Sequence, residues 1–358
     1  MMVSVTRTAR PRSSRLSAFA VLLLTLIGAT VGALPARAAV AGPTLNAVRM
    51  RGMVACGVST GVAGFSLADS HGNYTGLDVD ICRALSAAIF GTPDKVKFVP
   101  LNTQQRFTAL QSGAVDLLSR DTTWTLQREA SLGILFTAPV YYDGQGFMVS
   151  KKLGIKSVKQ LSGATICLQP GTSTERDLTD YFRANHMSFK PLVIENFDAV
   201  QSAFYSGKCD ALTADASGLA ASRVTKAPNP DDYVILPETV SKEPLAPAVR
   251  QGDDQWFDVV RWTVFALIEG EEKGITSKNI DGKLKSDDPE VQRLLGVTSG
   301  MGTALGLDDK WAYNILKSVG NYGEIFERNV GRGSPLKLER GLNELWTAGG
   351  LLYAPPLE

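Results

Sequence analysis

The residues of this 358-residue chain that could do chemistry are few, and their spacing narrows what that chemistry is. The four cysteines are Cys56, Cys82, Cys167 and Cys209. They contain no C-x₂₋₄-C pair, and His71 and His186 are the only histidines, so no metal site is expected. An even number of cysteines in an oxidising compartment points to two disulfides, for which three connectivities are possible. With two scattered histidines and no metal cluster, the chain does not read as an enzyme, and no cofactor is expected. Among the charged residues, Arg128 has the planar fork that holds both oxygens of a carboxylate. At a helix start it could equally pair with Glu129 or Asp121. Asp215 falls just past an apolar segment and could meet a cation or cap the next helix. The run Gly171-Thr172-Ser173-Thr174-Glu175 opens a helix whose unpaired N–H groups attract carboxylates. Thr172 with Glu175 also fits a capping box. Asp78 and Asp80 look like paired acids but sit at a helix start, where Asp stabilises the dipole. We read them, and Asp210, as structural.

These side chains must be positioned by the elements around them. An apolar strand, Met53–Val58, precedes a turn-rich stretch and a helix from Asp78 to Phe90, with Ile81, Leu85, Ala88 and Ile89 as its buried stripe. A strand at Val96–Val99, a helix at Gln104–Gln111 and a strand at Val115–Ser119 follow. The plan restarts after an extended stretch. Strands at Ala164–Leu168, Leu192–Glu195 and Asp210–Thr213 alternate with helices at Thr172–Asn185, Asp198–Ser206 and Ser217–Thr225. A strand at Tyr233–Leu236 and an apolar helix at Trp256–Gly270 come next. Further helices are expected at Lys310–Val319 and Leu338–Leu345. Alternation of this kind implies parallel pairing in α/β sheets. Two small α/β units joined by extended segments suggest two lobes, with ligands at the carboxyl ends of the strands where the lobes face.

Composition bounds the function. Residues 1–38 hold five arginines and no acidic residue, so without them the formal charge of +1 becomes −4. Such a chain has no obvious affinity for nucleic acid or anionic lipid. The segment itself reads as a signal peptide: a basic start to Arg15, an apolar stretch from Leu16 to Leu34, and Ala36-Arg37-Ala38 as cleavage site. The periplasm is the expected location.

Gly76-Leu77-Asp78-Val79-Asp80-Ile81 resembles the signature of the family-3 bacterial extracellular solute-binding proteins. Ala109-Leu110-Gln111-Ser112-Gly113-Ala114-Val115-Asp116 and Gly207-Lys208-Cys209-Asp210-Ala211 continue the match. Thr122-Thr123-Trp124-Thr125, Tyr141–Met148 and Tyr322–Asn329 resemble the branch serving general L-amino-acid transporters. The resemblance covers residues 45–358; Ser86 departs from the signature without expected consequence. It implies a two-lobed, type II periplasmic-binding-protein fold that the chain crosses twice. Lobe 1 would comprise 45–143 and 249–358, and lobe 2 149–243, with hinge segments at 144–148 and 244–248. It also implies a monomer that binds an L-amino acid, with Glu, Gln and Asp among the ligands, and delivers it to an ABC transporter permease in the inner membrane.

The resemblance assigns roles. Arg128 would anchor the ligand carboxylate, helped by Thr123. The Asp121 carbonyl and Asp215 would receive the ammonium. Thr172 and Ser173 would close on the carboxylate from lobe 2. Ser59, Phe65, and Asn102 or Thr103 would face the ligand side chain. In this frame Cys56 pairs with Cys82, strand to returning helix. Cys167 pairs with Cys209, on neighbouring strands if the order is 2-1-3. Either other connectivity would tie the lobes together. The rival reading is an enzyme of the same fold acting on prephenate-like acids.

Overall fold

The computed structural model describes residues 42–358; the expected signal segment lies outside the described residues. Two five-stranded sheets organise two lobes. In the first, Val54–Val58 lies between Val96–Pro100 and Leu117–Leu118, all parallel. In the second, Thr165–Leu168 lies between Lys190–Val193 and Ala211–Asp215, again parallel. Both thus have the second-first-third order. All five residues of Val54–Val58 are buried. That fits a strand covered on both faces by helices.

The sheets are mixed rather than wholly parallel. Ala248–Arg250 runs antiparallel to Leu117–Leu118 and Ile134–Phe136. Gln145–Ser150 runs antiparallel to Ala211–Asp215 and Tyr233–Ile235. The reason is connectivity. A parallel neighbour needs a crossover within its own lobe, whereas these two strands arrive directly from the other lobe.

The crossing itself is a two-stranded antiparallel pair, Tyr141–Asp143 with Glu243–Leu245. It begins before the segments expected from sequence, for residues 145–150 already belong to the second sheet. Gly144 joins the pair to that sheet. A Cβ there would run into the Thr239 methyl and lie 2.9 Å from the Ser241 carbonyl, so only glycine allows the close approach.

Helices Leu77–Phe90, Asp254–Glu272 and Trp311–Ser318 bury their apolar residues in one core over the first sheet. Ile81, Leu85 and Ala88 lie in it as the periodicity requires, while Ile89 is only partly buried. Ser86 accepts from the Lys95 N–H and donates to the Thr92 carbonyl, fastening the turn after the helix. The C-terminal segment departs from expectation. Leu338–Leu345 forms only a short turn at Gly341–Asn343. Lys337 and Gly341 take left-handed backbone conformations that interrupt a helix. Arg340 pins the segment instead, pairing with Glu271 at 3.0 Å and lying over the Phe326 ring.

Cys56 bonds Cys82 and Cys167 bonds Cys209, each bridge within one lobe. They close spans of 26 and 42 residues. By loop entropy each stabilises by about 3–4 kcal/mol. Replacing either pair by alanines is expected to lower the urea midpoint accordingly, with binding retained. A midpoint unchanged in both double variants would contradict this.

Candidate functional site

The loops after the parallel strands meet between the lobes. Val54–Val58 leads to Ser59–Val62, Val96–Pro100 to Asn102–Arg106, and Leu117–Leu118 to Arg120–Thr123. From the second lobe come Gln169–Thr174, Glu195–Phe197 and Asp215 with Gly218. Together they line a cleft of about 380 Å³. This is where strand carboxyl ends in open α/β sheets place ligands.

Of the residues expected from sequence, Arg128, Asp215, Thr123, Asp121, Thr172, Ser173, Ser59, Asn102 and Thr103 line the cleft. Phe65 does not. It is 1% exposed and packs edge-on against Tyr141 in the core. The turn that places Ser59 at the cleft folds Phe65 back: Ser66 bonds Ser59 through both its hydroxyl and its carbonyl, and Phe65 follows it inward.

Arg128 stands in the first turn of the short helix Leu126–Leu132, capped by Thr125. One guanidinium nitrogen donates to the Thr123 carbonyl at 2.7 Å, and the group lies over the Phe107 ring. Glu129, the expected alternative partner, instead accepts from the Trp124 indole at 2.6 Å. Asp215 occupies the cap position of helix Ala216–Thr225, yet its side chain makes no capping bond. It faces the Asp121 carboxyl within hydrogen-bonding reach. Asp121 adopts the left-handed backbone conformation, φ 42°, which costs a non-glycine residue strain. Its N–H is held by the Asp78 carboxylate at 2.9 Å. Asp78 therefore positions the site from beneath. Asp80 is structural as read, pairing with Arg328 at 2.7 Å. Asp210 accepts from the Thr165 N–H.

Thr172 caps helix Ser173–Ala184 through the Glu175 N–H, and its hydroxyl donates to the Gln169 carbonyl. The capping role thus occupies its side chain. Ser173 and Thr123, from opposite lobes, both bond Glu243 on the crossing strand. Other bonds also span the cleft: Asn102 to Glu195 at 2.9 Å, and Thr103 to the Pro170 carbonyl at 3.2 Å.

Sequence reading missed two further cations, Arg106 and Arg120. Arg106 reaches the Gly171 carbonyl across the cleft, and its Nε is buried with no hydrogen-bond partner among the described residues. Arg120 directly follows the strand expected at Val115–Ser119, a position at a strand's carboxyl end that would have flagged it. Arg106, on a helix whose period says nothing of the cleft, carried no such signal. Asp121 Oδ1 is likewise buried and unpartnered. Arginines and carboxyls lining one cleft make a site suited to a ligand bearing both charges a short distance apart.

Fold and site thus define a two-lobed receptor that encloses a small solute between facing α/β units. The family model for bacterial extracellular solute-binding proteins, family 3, matches residues 54–281, and the chain belongs to that family. The general L-amino acid-binding periplasmic protein AapJ of Rhizobium johnstonii is 55% identical over 94% of this chain and 98% of its own length. The glutamate/glutamine/aspartate/asparagine-binding protein BztA of Rhodobacter capsulatus is 51% identical over 89% of this chain and 94% of its own. Among solved structures, a periplasmic binding protein from Brucella ovis with glutathione bound superposes with a TM-score of 0.86. It is 55% identical, covering 88% of this chain and 99% of its own. The family is one of solute-binding proteins, and a relative from Escherichia coli K12, 53% identical over 94% of this chain and 98% of its own length, is a putative amino-acid ABC transporter-binding protein.

Burial raises the carboxyls of the cluster. Asp78 is pushed up to about 8 by burial and then by Asp121. Asp143, beneath Asp215, rises to about 7, chiefly by burial. Asp121 rises by burial, against the opposing pull of Arg120 and Arg106, and Asp215 rises by burial and then by Asp121 and Asp143. Above about pH 4, where unfolded carboxyls ionise, the folded protein therefore holds more protons. Its stability falls as pH rises through the window up to about 7–8. The ligand-free melting temperature is expected to decline between about pH 5 and about pH 8, and less steeply in Asp215→Asn. A flat or rising profile in the parent would contradict the account of the cluster.

Proposed function

We propose that this protein captures free L-amino acids in the periplasm, glutamate, glutamine and aspartate among them, and delivers them as a monomer to a permease in the inner membrane. The observation that carries this reading is the opposition of Arg128 on one lobe to Asp215 on the other within one cleft. The α-carboxylate meets the Arg128 fork, and the ammonium meets Asp215 and Asp121. Ser59, Asn102 and Thr103 lie toward the side chain. Breadth is supported by the names of the relatives, one for general L-amino acids and one for four acidic and amide ones. Residues 1–38 act as the export signal. The lobes are 45–140 with 246–358, and 144–242, and they close about the paired crossing strands Tyr141–Asp143 and Glu243–Leu245. The closed, loaded form is what the permease engages.

A ligand that bridges the lobes favours closure only while both its charges are answered. Removing one partner leaves a buried charge unpaired, which costs about 2–5 kcal/mol, or roughly 30-fold to several-thousand-fold in affinity. Titration calorimetry on Arg128→Ala and Asp215→Asn is expected to show losses in that range, with circular dichroism unchanged. Arg128→Lys also loses affinity, because an ammonium lacks the two-pronged contact. Asp215→Asn weakens amino acids more than analogues without the amine. Binding by both variants within about threefold of the parent would overturn the assignment.

A further inference from the structure

The cleft does not end at the groups that meet the amino-acid backbone. A second cavity of about 170 Å³ adjoins it, and the two share Val62, Phe197 and Gly218 among their walls. Beyond that junction the second cavity is faced by Ala63, Leu67 and Ala221. Its polar side chains are already committed. Gln201 donates to the Phe197 carbonyl, Ser222 bonds the Tyr205 hydroxyl, Thr225 donates to the Ala221 carbonyl, and Lys226 pairs with Asp198. The chamber therefore offers an incoming group chiefly apolar contact, from Val62, Ala63, Leu67, Phe197 and Ala221. The main cleft is lined by polar side chains near Asn102, Gln169 and Glu195.

Gly218 stands at the junction, in helix Ala216–Thr225. Glycine in a helix costs stability relative to alanine, so its presence wants a reason. The fold supplies none: its backbone is not in the left-handed region, and a Cβ built on it meets nothing within 4 Å. Gly144 shows the contrast, since a Cβ there would clash. What a side chain at residue 218 would fill is the opening between the two cavities.

We propose that Gly218 keeps open a forked side-chain site. One arm, toward Asn102 and Glu195, takes polar side chains; the other, past Gly218 and Phe197, takes long aliphatic ones such as those of methionine and leucine. The inference rests on the amino-acid-binding reading above. It gives that reading a structural basis for breadth: one backbone anchor serves two side-chain chambers of opposite character, and the ligand's own side chain selects the arm.

The test is the ratio of affinities for L-methionine and L-aspartate, measured by calorimetry on the mature protein. Gly218→Leu fills the opening and is expected to lower the methionine-to-aspartate ratio by about tenfold or more, the scale on which a pocket discriminates a few methylenes. Gly218→Ala is expected to shift the ratio in the same direction by a smaller factor and to raise the melting temperature. An unchanged ratio in both variants overturns the proposal, as does a parent that binds aspartate but neither methionine nor leucine. A parent that binds no amino acid at all overturns the underlying reading instead. Should Gly218→Leu fail to fold, the alanine variant decides alone, through the direction of its ratio.

Discussion

A charge taken out of water must be answered by an opposite charge, and the architecture around the cleft follows from that requirement. A zwitterion has two such charges roughly one carbon apart, so the groups that answer them must themselves lie close together. The first lobe supplies guanidiniums at residues 106, 120 and 128 together with Asp121, and the second supplies Asp215. This crowding has a structural cost that is visible beneath the cleft. Asp121 is held in an unfavourable backbone conformation, and a second buried acid, Asp78, is needed to hold it. Burial holds acids crowded in this way toward their protonated form, and in the proposed reading the ligand's ammonium is the cation that joins them.

The crossing strands bring the two halves of this arrangement together. Glu243 lies on one of them and accepts hydroxyls from both lobes, so the site is tied to the segment about which the lobes join. The C-terminal stretch reaches the same place. Asn343 bonds both backbone groups of Tyr142 on the partner strand. Arg340, wedged between Glu271 and two aromatic rings, fixes Asn343 there. A segment without regular secondary structure thus braces the connection from outside.

Much of this was legible in sequence, for reasons that can be named. Alternating apolar segments and helical stripes marked both α/β units, because burial on two faces leaves a continuous apolar strand such as Val54–Val58. Arg128 and Asp215 were legible through their motifs. The antiparallel strands were not, since nothing in Gln145–Ser150 says from which lobe the chain arrives. Phe65 was misplaced because a loop aromatic can face a cleft or a core, and only the Ser59–Ser66 turn decides. Arg106 was hidden by a helix whose pattern reports its buried face but not what lies across a gap. The Leu338–Leu345 helix failed where local pattern met left-handed residues and a long-range ion pair.

The order of the cysteines along the chain has a consequence for biogenesis. The bridges join the first cysteine to the second and the third to the fourth. For a chain that reaches an oxidising compartment amino-terminus first, this is also the order of appearance. Cys56 and Cys82 are both across before Cys167 follows, and Cys167 and Cys209 are across before the carboxyl-terminal part of the first lobe. An oxidase that joins whichever two thiols are newly exposed therefore makes the correct bonds. Shuffling by an isomerase is dispensable, although the first lobe is assembled from two separated stretches of chain.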